Sequence, residues 1–206
     1  MAGTGIFMVL FLVAHMVGNL KVFSGAEKFN DYSLWLRNLG HPVLPESGFL
    51  WIMRVALLVA VALHITAAVQ LTHRSVHDRQ GRRSRKGPHN YVAFTMRSGG
   101  VILTLFVVWH ILDFTTLTVN TNAVEGQAYQ NLVASFSTWY GDVIYIVAML
   151  ALGFHLQHGI WSASQTLGMG TTVRNRVIRP VSAVVGVLVA VGFVVIPISV
   201  MTGMVS

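Results

Sequence analysis

Apolar residues fall along this chain in five long blocks separated by short polar stretches, at roughly 4–22, 48–72, 93–119, 139–166 and 178–204. Each block is about as long as, or longer than, the ~18–20 residues a helix needs to cross a bilayer's hydrocarbon core. Peptide groups find no water there, so each block is expected as a self-satisfied α-helix. The first block, in "MAGTGIFMVLFLVAHMVGNL", has no Lys or Arg before it and no clear small-residue cleavage site. It reads as a retained span, not a signal peptide. No internal repeat and no second domain stands out, so residues 1–206 form a single membrane domain. The expected fold class is an all-α integral membrane protein, a bundle of five transmembrane helices.

Composition agrees with that pattern. The chain is 54% hydrophobic and only 10% charged, where a soluble domain is about a quarter charged. It contains no cysteine, which excludes disulfides, thiolate metal sites, iron–sulfur clusters held by this chain and covalent haem attachment. The net charge of +7 does not imply nucleic acid, because the basic residues sit in short loops. The second loop carries Arg74, Arg79, Arg82, Arg83, Arg85 and Lys86 against Asp78, and the fourth carries Arg174, Arg176 and Arg179. The first loop is charge-balanced, and the third has Glu125 and no base. The positive-inside rule then puts the second and fourth loops and the N-terminus in the cytoplasm, with the C-terminus outside.

Histidines supply the candidate chemistry. His41, His73, His77 and His89 lie in loops, where a solvated surface role suffices. His15, His64, His110, His155 and His158 lie within apolar blocks, where an ionisable group is costly and is normally paired or functional. The topology gives each a depth. His64 and His155 each fall about 16 residues into an inward-running block, some 24 Å down at ~1.5 Å per residue. His110 falls about 17 residues into an outward-running block, and His15 lies in the later half of another. The four thus sort into two layers, His64 with His155 and His15 with His110. Two imidazoles from different helices in each layer are what two stacked, bis-histidine b-type haems require within a bundle. Gly18, Ala67 and Gly159 follow three of these histidines by three or four residues and offer clearance for a porphyrin edge, although ordinary small-residue helix packing explains them equally. Zinc fits poorly without cysteine and with few carboxylates, and a proton relay does not demand pairing at equal depth.

The stretches "MAGTGIFMVLFLVAHMVGNLKVFSG", "NDYSLWLRNLGHPVLP" and "GFHLQHGIWSASQTLG" resemble the cytochrome b membrane-anchor subunits of succinate dehydrogenase and fumarate reductase, in their single-chain, five-helix, two-haem class. The resemblance implies that His15 and His110 ligate the haem distal from the cytoplasm and that His64 and His155 ligate the proximal one. It favours His155 over His158, because the later position can be Asn in the pattern; His158 would then be a neighbour. Relatives that look like this usually begin earlier, so a misassigned start or a shorter natural end is expected at Met1.

The resemblance further implies a bacterial cytoplasmic-membrane protein of respiratory complex II and the tricarboxylic acid cycle. It would hold two haem b groups and anchor a flavoprotein subunit and an iron–sulfur subunit, which carry the FAD and the clusters. Electrons would pass from the partner's clusters through the haems to a quinone, menaquinone in the two-haem class, within membrane lipid. A higher oligomer of the complex is allowed for. Arg54, near the outer end of its span, and Arg97, near the inner end of its own, are candidates for the distal and proximal haem propionates; snorkelling to the interface is the alternative. Asp113 would pair with Arg54 or move quinone protons. Trp51, Trp109, Trp139 and Trp161 suit an interface belt or the core equally. Two other readings survive at this stage: a b561-like transmembrane haem reductase without such partners, and a non-redox transporter whose histidines shuttle protons.

Overall fold

The computed structural model describes residues 1–77 and 88–206. Arg79, Arg82, Arg83, Arg85 and Lys86 of the basic second loop lie outside the described residues. The described chain is helical, in the order α1 (Ala2–Leu20), a 3-10 turn (Lys21–Ser24), α2 (Ala26–Arg37), α3 (Gly48–His77), α4 (Pro88–Phe114), α5 (Ala128–Phe136), α6 (Trp139–Thr166), the single turn α7 (Thr171–Val173), a π-helical turn (Arg174–Ile178) and α8 (Arg179–Met201). Five segments are long and apolar enough to cross a bilayer: Ala2–Ser24, Gly48–Arg74, Phe94–Phe114, Trp139–Thr166 and Thr171–Met201. These correspond to the five apolar blocks.

The third span stops at Phe114, where the apolar block had suggested 119. Local chemistry ends it. The Thr116 and Thr118 hydroxyls and the Thr118 N–H all bond to the Leu112 carbonyl, and Leu117 takes a positive φ of 58°. Side-chain capture of the last carbonyls offers the backbone an alternative to a further helical turn.

Helix α6 is the centre of the bundle. It packs on α8, α4, α1 and α5, and Ala148, Met149, Leu152 and Leu156 from it join Val189 of α8 in the mid-bundle core. A close crossing lies between Gly153 of α6 and Gly186 of α8. A Cβ on Gly186 would stand 2.6 Å from the Gly153 carbonyl oxygen, and one on Gly153 would stand 3.0 Å from the Ala190 Cβ. Lipid is as apolar as leucine, so helices in a bilayer gain most by bringing their backbones close, and glycine permits it. Helix α3 lies at the margin, against α1 and α2. Only 6% of its spanning window is buried, against 33% in the last span, so most of its apolar surface faces lipid.

Two short helices, α2 and α5, were not expected from the apolar blocks. They pack together at one end of the bundle: Asn30 Oδ1 accepts from the Tyr129 backbone N–H at 3.0 Å, and the Phe29 and Tyr129 rings meet edge-on at 6.2 Å. Behind them a second core gathers Val22, Phe29, Tyr129, Leu132, Phe136, Tyr145, Ile196 and Val205. Asn131 fastens the adjoining loop, accepting from Val124 N–H at 2.7 Å and donating to its carbonyl at 2.8 Å.

Replacing Gly186 by Val should force α6 and α8 apart and cost about 1–3 kcal/mol, the usual range for overpacking. Thermal unfolding of the detergent-purified protein should drop by several degrees, while Gly3→Ala, where a Cβ meets nothing within 4 Å, should leave it unchanged.

Candidate functional site

The four buried-span histidines come together as two pairs, each joining two helices. His15 of α1 faces His110 of α4 with ring centroids 5.8 Å apart and planes at 84°. His64 of α3 faces His155 of α6 at 6.4 Å and 60°. The pairing matches the two layers read from the sequence. His158, one turn along α6, turns away from these pairs: its Nδ1 lies 2.9 Å from the Phe154 carbonyl of its own helix.

The surroundings of the two pairs differ. The His15–His110 pair sits in an aromatic box. Phe11 stacks on His15 at 5.2 Å and Phe193 lies 5.8 Å from it. Phe106, Phe114 and Tyr145 surround His110 at 5.5–6.0 Å. The His110 Nδ1 lies 3.1 Å from the Tyr145 hydroxyl. Tyr145 donates to Asp113 Oδ2 at 2.9 Å, and Ser135 donates to the same oxygen at 2.6 Å. Asp113 is thus engaged by two hydroxyls and does not pair with Arg54, whose guanidinium lies 5.0 Å over the Trp51 ring. The geometric reason is that Asp113 points into the α4–α5–α6 junction, at 3% exposure, while Arg54 belongs to the marginal helix α3.

At the His64–His155 pair, the His64 Nδ1 lies 3.1 Å from the Thr4 hydroxyl, and Thr4 itself donates to the Met1 carbonyl at 2.9 Å. The His155 Nδ1 is buried without a hydrogen-bond partner. Two glycines line these rings: a Cβ on Gly5 would stand 3.6 Å from His64 Cε1 and one on Gly100 3.9 Å from His155 Cε1. The space beside Gly18 is occupied, because a Cβ there would lie 2.8 Å from the Tyr32 hydroxyl; that beside Gly159 is open. Arg97 lies exposed on α4. His15, Gly18, Asn19, Phe29, Tyr32 and Leu36 line a cavity of about 180 Å³ beneath α2. Tyr145, Phe106 and Phe193 were not among the residues singled out by sequence. Only their distance from His15 and His110 in space marks them, since an aromatic in an apolar span is ordinary.

Among the described residues no group of three or more His, Asp or Glu side chains converges on one point. Each site therefore offers two neutral imidazoles and nothing else, which suits a metal whose other ligands come with it. Two imidazoles on opposite faces of one metal, each bonded through nitrogen at about 2 Å, put their ring centroids about 6 Å apart. The observed separations of 5.8 and 6.4 Å fit that requirement.

Replacing Asp113 by Leu should strand the buried Ser135 and Tyr145 hydroxyls. Each orphaned group costs on the order of 1–3 kcal/mol, so the melting temperature should fall clearly, and a double variant with Ser135→Ala should recover part of the loss.

No solved structure matches the chain. It is similar to the succinate dehydrogenase cytochrome b558 subunit of Bacillus subtilis (strain 168), with 24% identity over 168 residues, 81% of this chain and 76% of that protein. Residues 83–194 match the model of the succinate dehydrogenase/fumarate reductase transmembrane subunit family. That stretch covers more than half of the 206 residues and contains His110 and His155, and on this basis the chain belongs to the succinate dehydrogenase/fumarate reductase transmembrane subunit family.

Proposed function

We propose that this chain is the dihaem cytochrome b anchor of a succinate:quinone oxidoreductase in a bacterial cytoplasmic membrane, passing electrons from a partner iron–sulfur protein to menaquinone. The observation that carries the reading is the two-by-two pairing of His15 with His110 and His64 with His155, each pair joining two helices, with ring centroids 5.8 and 6.4 Å apart respectively. In this reading His15 and His110 hold the distal haem b and His64 and His155 the proximal one. Each haem, when bound, supplies a one-electron carrier.

The protein's part is to hold, exclude and orient. Each imidazole would present a nitrogen lone pair to the iron. Phe11, Phe106, Phe114 and Phe193 exclude water from the distal pair. The chain has no cysteine, so the iron–sulfur clusters belong to a partner iron–sulfur subunit, and FAD is assigned to a flavoprotein subunit. The basic second and fourth loops put the docking face and the N-terminus on the cytoplasmic side, with the C-terminus outside. Arg54 and Arg97 are the proposed partners of the distal and proximal propionates. Asp113 is already bonded to Ser135 and Tyr145, which favours a supporting role over direct contact with quinone.

A reduced-minus-oxidised visible spectrum of the purified complex, with haem quantified per chain and subunits resolved on a gel, should give two b-type haems beside two larger partner subunits. No haem would overturn the ligand assignment, and haem without those partners would point to a b561-like reductase. His155→Ala should remove one haem per chain, whereas His158→Asn should retain both; the opposite result would exchange their roles. With menaquinone reduced near the outer face, electrons cross the membrane, so an uncoupler should change succinate oxidation rates in intact vesicles. Indifference to the uncoupler would refute the coupling.

A further inference from the structure

We infer that Tyr145 and Asp113 are positioning residues that fix the tautomer of His110 and strengthen it as a ligand, selectively lowering the reduction potential of the haem it would hold. The inference rests on the haem reading proposed above and goes beyond ligand identity to how one site is tuned. It follows from where the protons must lie. A carboxylate oxygen only accepts, so the Tyr145 hydroxyl spends its single proton on Asp113 Oδ2, 2.9 Å away. The Ser135 hydroxyl donates to that same oxygen at 2.6 Å, holding the carboxylate in place. The Tyr145 oxygen, its proton committed, can meet the His110 Nδ1 at 3.1 Å only by accepting. His110 therefore carries its proton on Nδ1 and keeps Nε2 bare.

A histidine whose far N–H leads to a carboxylate is a more basic ligand than one without such a partner. Here the carboxylate acts through the tyrosine oxygen, which it polarises. Stronger donation from Nε2 favours the oxidised metal and so lowers the potential. The same logic applies to His64, whose Nδ1 meets the Thr4 hydroxyl while Thr4 donates to the Met1 carbonyl. That chain fixes the same tautomer but ends on a neutral carbonyl. Among the described residues the polarising carboxylate is present at one pair alone: the charge near His64 is the cationic Met1 amino terminus, His155 Nδ1 has no partner, and Asp113 bonds on the His110 side.

Buried position supports a designed network over an incidental contact. Asp113 is 3% and Ser135 6% exposed, and Tyr145 is 7% exposed between the Phe106 and Phe136 rings, each 4.9 Å away. A buried carboxylate is expensive unless its hydrogen bonds are made, and a packing role for this position would be met by an apolar residue without that cost.

The test is a potentiometric titration of the whole complex, monitored by visible spectroscopy, for wild type, Tyr145→Phe and Asp113→Asn. Tyr145→Phe keeps the ring and its packing while removing the oxygen. The midpoint of one haem should rise and that of the other stay where it was, with Asp113→Asn giving a smaller rise in the same haem. Should Tyr145→Phe fail to assemble with haem, Asp113→Asn, which keeps shape and volume, carries the test alone. Two haems with unmoved midpoints in the variants that assemble, or an equal shift of both haems, would overturn the inference and leave the haem assignment standing. A wild-type complex without haem would overturn both.

Discussion

The rest of this structure depends on the cost of placing imidazoles inside hydrocarbon. His15, His64, His110 and His155 each sit in a span whose neighbours are almost wholly apolar, and an unpartnered polar group there is strongly unfavourable. The bundle meets the cost by bringing the rings together from different helices and by giving some of their nitrogens hydroxyl partners. Helix α6 has to be central, because it carries His155 toward α3 and Tyr145 toward α4 on one rigid rod. The Gly153–Gly186 crossing anchors that rod against α8.

The two histidine layers are built differently although the sequence presents them alike. The His15–His110 end is closed by aromatic rings and by the α2–α5 cap, and it contains a buried hydroxyl–carboxylate network. The His64–His155 end has glycine beside both rings and a single threonine contact. Under the proposed haem reading, these unequal surroundings would give the two sites different potentials, since burial and hydrogen bonding set a metal's potential once its ligands are fixed. Membership of the succinate dehydrogenase/fumarate reductase transmembrane subunits supplies the context in which such a relay would operate.

Much of the candidate site was legible from helix periodicity. A helix advances at a constant rise, so topology and residue count alone convert His15, His64, His110 and His155 into depths, and depth pairs them. His158 shows the limit of that arithmetic. It lies at nearly the same depth as His155, and only the rotation of α6 separates the ring that faces His64 from the one that bonds its own backbone. Gly18 shows another: small size next to a histidine suggested clearance, but Tyr32 from α2 takes the space. Neither α2 nor Tyr32's approach is implied by any hydropathy signal around Gly18.

By itself, then, the sequence determined the five apolar spans and the position of each histidine along its span. These follow from hydrophobicity and helix rise, which are local properties of the chain. Tertiary structure decided which faces of the helices meet, and with them the Asp113–Tyr145–His110 chain, the commitment of Asp113 away from Arg54, and the α2–α5 cap. Those contacts join residues far apart in sequence, and they depend on helix rotation and crossing, which are set by the packing of all the helices at once and by no single segment.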